Sequence, residues 1–501
     1  MKKFLFAILT CPFYFTAQYT SIPDSDFEQL LIQMNLDNII DGQVLTSNIT
    51  SLDSLMIWNS NVTDLTGIED FISLEYLESD GTLISLDLSN NANLKHLDVE
   101  ANILTTLNIS ANYDLEYLSC RYNQLQTLDL SNNTALRTLY CTQNQLTNLD
   151  VSNNIALENL GCTSNQLSSI DVSNNIALTT LWISDQLTNL DVSNNINLES
   201  LSCRSSQLSN LNLSSNIALK ALDFSSTQIN SIDLSANINL EYLSCSSLLS
   251  YLDISNNVAL KHLAIGYTQI SSIDLSNNLN LEHLYCSGTN LTNLDLSNNI
   301  ALTTLYCDHN SLLDLNLFNN VNLMELHCDS TNITELNLSN NYELCELTCA
   351  NNSLTCLNLK NGNNNMMCRV VTIDNPNLLC IEVDDPTYST NTWLLSTNTY
   401  NFNLDSMVLF DTNCSNNCSD ITQINETQFT SHIYPNPSSS IINIITEDTS
   451  SPIITELYSL SGKLVYTGNR RIIAVNQLSS GIYLLKLKHH NKLEIIKIVV
   501  Q

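Results

Sequence analysis

Three kinds of side chain recur in this chain at intervals of 20 or 21 residues, and each could do chemistry. The first is a column of thiols: Cys120, Cys141, Cys162, Cys203, Cys245, Cys286, Cys307, Cys328 and Cys349. Stacked thiols could ligate a metal or exchange disulfides. Phe224 and Ile265 hold the same slot in two repeats, however. A slot that accepts Phe and Ile wants an apolar side chain, so the column reads as free thiols in a core. In-register side chains also point the same way, which disfavours bridges between neighbouring repeats.

The second is a column of carboxylates: Asp87, Asp129, Asp150, Asp171, Asp191, Asp233, Asp253, Asp274 and Asp295. Each lies between two apolar positions and therefore faces solvent. Stacked about 4.8 Å apart, they repel by roughly 1 kcal/mol per pair in water. Calcium could bridge them, with Asp129, Asp150, Asp171, Asp274 and Asp295 the candidate ligands, and would stiffen the array without catalysis. The competing expectation is that each carboxylate accepts bonds from nearby Ser hydroxyls and backbone.

The third is a series of outward aromatic residues: Tyr76, His96, Tyr117, Tyr140, Trp182, Tyr242, His262, His283, Tyr285, Tyr306 and His327. Exposed aromatic rings are enriched at recognition surfaces. Tyr242, His262, His283, Tyr285, Tyr306 and His327 are the candidate ligand-binding residues. The competing expectation is that the rings only cover a flat sheet by stacking from strand to strand. No catalytic residue emerges. There is no triad order, no HExxH, no phosphate loop and no acid pair in a non-repeating cleft. Equal carboxylates on a ladder make a poor active site, because catalysis needs one unusual environment.

The element that positions these columns is visible in residues 115–135, LEYLSCRYNQLQTLDLSNNTA. Leu115, Leu118, Cys120 and Asn123 spell L-x-x-L-x-C-x-x-N, and Leu125, Leu128, Leu130 and Asn133 repeat the phrase. Numbering the unit from Leu115, the cysteines hold slot 6, the aspartates slot 15 and the aromatic residues slots 3 and 5. In each half the L-x-L triplet alternates with period 2, the signature of a short strand buried on one face. Its partner must be the same strand one repeat on, so stacking gives two parallel ladders, one on each side of the coil. Asn closes the second half at slot 19, from Asn91 through Asn237 to Asn341. An inward Asn at a bend can satisfy the backbone of its own and neighbouring coils. Slot 9, which closes the first half, is looser, with Asn123, Asn144 and Asn165 but Thr227, Thr268 and Thr289. The pattern fails at Gly362, where slot 19 would be Asn.

This phrase resembles the leucine-rich repeat, and the whole unit resembles the nested 21-residue subclass of secreted bacterial proteins of the Bacteroidetes type. The resemblance spans residues 74–362. It implies a right-handed solenoid and the binding of other macromolecules. The short unit leaves no room for a convex helix. The expected fold is mainly β, a solenoid with parallel strands on both sides, about fourteen rungs and on the order of 65 Å long.

The flanks differ. Residues 1–18 read as a signal peptide, with Lys2 and Lys3 ahead of an apolar run too short to span a bilayer. Residues 19–73 read as an N-terminal cap whose helix, capped by Asp24 or Ser25, buries Phe27, Leu30, Leu31 and Met34. Residues 363–420 read as a C-terminal cap and 421–433 as a linker. Cys345, Cys356, Cys368, Cys380, Cys414 and Cys418 cluster around that cap. An extracytoplasmic location favours disulfides there, with Cys380 bonded to Cys414 or Cys418. Residues 434–501 read as a small antiparallel β-sandwich. Its YPNP, LSGK and SSGIYLLKL phrases resemble the C-terminal sorting domain of type IX secretion cargo. That resemblance implies contact with the secretion machinery, passage across the outer membrane, and release or surface attachment.

Charge narrows the partners. The chain carries −33 overall. The last 68 residues hold seven Lys and Arg against four Asp and Glu, a net of +3, which leaves −36 on the rest. Phosphates would be repelled, so no nucleic-acid partner is expected. Nor is a membrane-spanning helix, or any cofactor beyond calcium. The expected role is a secreted or cell-surface protein that binds a protein or glycan through the first sheet. The alternative is a structural rod or spacer without a specific ligand.

Overall fold

The computed structural model describes residues 18–415, apart from 59–60, 185, 205–206, 247 and 395–400, together with Cys418 and, beyond it, 432–434, 440–445, 454–459, 463–489 and 492–500. Residues 1–17 of the expected signal peptide and 421–431 of the expected linker lie outside the described residues. The chain divides into two compact units at residues 419 and 420.

In the first unit each coil contributes a short strand at slots 3 to 5, paired in parallel with its counterpart one coil on. Leucine stands opposite leucine, as in Leu222 with Leu243 and Leu243 with Leu263. Among the described residues, seventeen such strands run from Ser54–Ile57 to Phe402–Asn403. In His262–Ala264, Leu263 is buried while His262 and Ala264 remain half-exposed, as period-2 alternation requires.

The second side departs from a uniform ladder. Its leucines point inward as expected, Leu252 and Ile254 being buried. Yet strands pair there in only two places among the described residues. One is Ser85–Asp87 with Thr106–Asn108. The other is the series Glu335–Asn337, Cys356–Asn358, Cys380–Glu382 and Leu409–Asp411. Between them, bonds such as Gln124 N–H to Leu104 O and Gln145 N–H to Leu125 O tie coil to coil. Alternation in a sequence reports which side chains are buried and not whether the backbones beneath them pair.

The coil also continues where its signature stops. Beyond Gly362, Arg369–Val371 and Phe402–Asn403 extend the first sheet, and Cys380–Glu382 and Leu409–Asp411 extend the second side. Val370, Leu378, Ile381 and Val408 are buried in place of the regular leucines. The expected cap is thus built from degenerate coils.

Inside, the slot-6 cysteines are buried thiols outside any disulfide. Burial pushes the thiols of Cys203, Cys245 and Cys286 up to about 12, which keeps them protonated and inert. The slot-19 asparagines are also buried. Asn237 Nδ2 donates to Leu213 O at 3.1 Å and to Asn216 O at 2.9 Å, both in the preceding coil. Unmet, each buried carbonyl would cost about 1–3 kcal/mol. At the N-terminal end, helix α1 (Ser25–Gln33) starts at Asp24, whose carboxylate accepts the N–H groups of Asp26 and Phe27. The helix buries Phe27 and Leu31 over the open end of the core.

The second unit contains two antiparallel sheets. One joins His432–Tyr434, Ile441–Ile445 and Ile472–Ala474. The other joins Ile454–Ser459, Leu464–Gly468, Gly481–His489 and Lys492–Val500. Ile442, Ile473, Leu457, Leu485 and Ile498 from both sheets share one core, as the expected sandwich requires.

Candidate ligand-binding face

Strands in the first sheet repeat about every 4.8 Å, within the range over which aromatic rings attract. The pitch of the coil therefore sets ring on ring. All six candidate residues form one continuous run. Tyr242 stacks on His262 at 4.5 Å between centroids. His262 lies 5.7 Å from His283 and 5.0 Å from Tyr285. Tyr285 meets Tyr306 edge-on at 5.0 Å, and Tyr306 stacks on His327 at 4.0 Å. A second run lies toward the N-terminal end. Tyr76, His96 and Tyr117 stack at 4.1 and 4.2 Å, and Tyr140 follows. Tyr140 and Trp182 belong to coils two apart but approach to 6.2 Å. Gly161 in the strand between them allows this, since a Cβ there would lie 2.8 Å from Tyr140 Cδ1. Arg121 sits 4.0 Å over the Tyr140 ring.

The rings stack from strand to strand. They cover one another, and they still present outward surface, Trp182 and Tyr242 remaining 39% and 37% exposed. Burial, and then the charge of Glu325, pushes the Tyr306 phenol up to about 12; its hydroxyl donates to Glu325 at 3.1 Å. Burial holds His262 below the ordinary histidine value, so the ring is neutral at pH 7. His327 Nε2 lies 2.9 Å from Glu346, whose carboxylate Arg369 also holds at 2.6 Å.

Beside the run of six candidate residues the surface opens into a cavity of about 630 Å³. Tyr285, Tyr306 and His327 line it from the sheet, Tyr267, Asp308 and Asp329 from the bend that follows. The space exists because the adjoining residues are small, among them Ser225, Ser244, Ala264, Gly266 and Ser287. Tyr267 and His309 occupy slot 8 with φ of 60° and 55°. Tyr122, Gln143, Ser164, Ser226, Ser330 and Asn351 hold the same left-handed conformation in their coils. Such a conformation costs a non-glycine residue about 1 kcal/mol or more. The coil imposes it at a slot that few repeats fill with glycine, so residue types there do not reveal it. Where Gly288 takes the slot, a Cβ would lie 2.7 Å from Tyr267 Cδ1, and the Tyr267 ring fills that space.

The second-side carboxylates are engaged locally. Asp129, Asp150, Asp171, Asp274 and Asp295 each accept the N–H of the Ser two residues on, at 2.9–3.0 Å. The backbone and then the hydroxyl of Ser131 hold Asp129 below the usual carboxylate value. For Asp150, Asp171 and Asp274 the Ser hydroxyl leads and the backbone follows. Among the described residues no group of three His, Cys, Asp or Glu converges as a metal site.

Two further columns escaped the sequence reading. Slot 2 alternates in sign over many coils, and Lys95–Glu75, Arg137–Glu158, Lys220–Glu199 and Lys261–Glu241 pair from coil to coil at 2.6–2.8 Å. Its signal was present as charge alternating once per repeat. Slot 20 leaves Ile155, Ile176, Ile196 and Ile217 each more than half exposed, a ridge that a period-2 pattern does not reveal.

The cap cysteines pair as Cys380–Cys414, Cys356–Cys418 and Cys345–Cys368. Of the two partners expected for Cys380, the structure brings Cys414 to it and gives Cys418 to Cys356. Cys345 and Cys368 stand one above the other just ahead of the paired strands Glu346–Thr348 and Arg369–Val371. In-register alignment therefore does not by itself bar a bridge. The geometry depends on the slot.

Residues 432–501 match the secretion system C-terminal sorting domain family. No curated protein matches the chain. Among solved structures, the functional domain of InlJ from Listeria monocytogenes, which includes a cysteine ladder, is similar over 97% of this chain and 99% of that one, at 24% identity and a TM-score of 0.63. The internalin inlF of Listeria monocytogenes is similar over 60% of this chain and 94% of its own, at 24% identity and a TM-score of 0.56. A leucine-rich-repeat protein of Leptospira interrogans is similar over 69% and 86%, at 18% identity and a TM-score of 0.51. By fold the chain is a leucine-rich-repeat solenoid, and the sorting domain that follows it marks it for type IX secretion to the cell surface or the extracellular space.

Proposed function

We propose that this protein is a secreted or cell-surface binding and adhesion protein that recognises a macromolecular ligand, protein or glycan, through the outward face of the first sheet. The binding residues are Tyr242, His262, His283, Tyr285, Tyr306 and His327. The observation that carries the reading is asymmetry between the two sides of the coil. The first side gathers outward rings into continuous runs beside a cavity, while second-side carboxylates take bonds from their own Ser neighbours. The role needs neither catalysis nor a cofactor. The sorting domain would engage the type IX machinery and deliver the solenoid to where such a ligand is met.

A structural rod is the second reading. The slot-19 asparagines and the slot-2 ion pairs favour it, because both bind coil to coil and neither requires a ligand. Ligand capture and a glycan array with the secreted protein, beside a Tyr285→Ser/Tyr306→Ser variant, separate the two. Binding lost in the variant supports the aromatic face; the absence of any ligand for either protein favours the rod.

A further inference from the structure

We infer that the cavity beside Tyr285 and Tyr306 receives a cationic side chain, Lys or Arg, from a basic segment of a partner protein. The inference rests on the proposed first-sheet face and narrows its ligand. Two features meet there. Tyr285, Tyr306 and Tyr267 supply aromatic surface, and an aromatic face attracts a cation by about 0.5–2 kcal/mol. Asp308 and Asp329 supply charge in the same cavity. Asp308 accepts the Asp329 N–H at 2.9 Å and the Ser287 hydroxyl at 3.0 Å, and Asp329 accepts the Ala350 N–H at 2.6 Å. Those bonds fix both carboxylates in place while leaving lone pairs for a further donor. Arg204, which also lines the cavity, is held by Asp223 at 3.2 Å. Charge complementarity points the same way, since the chain ahead of the sandwich carries −36 and would steer a basic partner inward. A neutral saccharide could use the rings and donate hydroxyls to the acids, but it would draw nothing from their net charge.

The test is fluorescence anisotropy on the full-length chain at about 0.15 M salt. The probes are a labelled peptide alternating Arg and Ser, its Glu-for-Arg counterpart and a labelled neutral oligosaccharide. The expected result is binding of the Arg peptide alone, weakened about tenfold or more by Asp308→Asn/Asp329→Asn. Asp171→Asn/Asp191→Asn removes the same charge from the second side and should change binding by about twofold or less. Tyr267→Ser, at an exposed ring outside the core, should also weaken binding and serves if the Asp variant fails to fold. Equal loss in both Asp variants means diffuse attraction and overturns the inference, as does preference for the oligosaccharide. Loss in Tyr285→Ser/Tyr306→Ser without loss in Asp308→Asn/Asp329→Asn keeps the aromatic face but overturns the cation. Indifference to every first-sheet variant overturns both.

Discussion

At the bend closing the first half of a coil, Asn144 donates to Cys120 O in the preceding coil and Cys141 O in its own, and accepts the Leu125 N–H. Thr268 stands at the equivalent bend, and among the described residues its hydroxyl bonds Ile265 O, within its own coil. At the bend closing the second half, Asn237 reaches two carbonyls of the preceding coil, and every repeat from Asn91 to Asn341 keeps Asn there. The two halves carry the same phrase and hide similar leucines, yet one bend tolerates exchange and the other does not. The first bend can therefore vary, and Tyr267 and His309, which line the cavity, sit beside it. The second bend holds the stack together.

The comparison can be broken first through the core. Leu243→Ala on the first side and Leu252→Ala on the second should each cost about 3 kcal/mol, because both leave cavities in one shared core. Urea titration followed by circular dichroism measures this. A second-side cost under about 1 kcal/mol would mean that the side lacking a continuous ladder is loosely packed. Next come the bends. Asn237→Thr should cost about 2–4 kcal/mol by leaving two buried carbonyls unmet, whereas Asn144→Thr should cost less, about 1–2 kcal/mol, because Thr keeps the bond to Cys141 O and other coils already hold Thr at that slot. Equal losses would mean that both bends hold the stack together alike.

The cysteine column gives a smaller effect. Cys245→Ser places an unpartnered hydroxyl among leucines and should cost about 1–2 kcal/mol, while Cys245→Val should lie within about 1 kcal/mol of the parent. Thermal melting under reducing conditions compares them. Tolerance of Ser would argue that slot 6 meets water or a ligand. The smallest effect is that of pH. His262 has a folded value below its ordinary 6.5, chiefly through burial and then through His283. The unfolded chain thus binds the proton more readily, so stability present above pH 6.5 falls as pH drops below it. Melting at pH 7.5 and 5.5 should show a decline that His262→Asn reduces. A decline identical in the variant would place the sensitivity elsewhere.

Much of this was legible from the sequence alone. Leucine at 20- or 21-residue spacing dictates stacked coils, since a three-residue strand cannot bury its face except against its own repeat. Slot 6 reads as core because Phe224 and Ile265 share it, and slot 19 as a structural Asn because it holds from Asn91 to Asn341 without exception. The aromatic runs follow from placing rings on successive strands. Tertiary structure decided what spacing cannot encode. It fixed where the second side pairs as a ladder, because apolar alternation looks the same over paired and unpaired backbone. It chose among cysteines equally near in sequence. It carried the coil past Gly362, because packing needs apolar volume more than it needs the signature. And it opened the cavity, which depends on small residues from several coils meeting beside Tyr285 and Tyr306, a juxtaposition no single repeat contains.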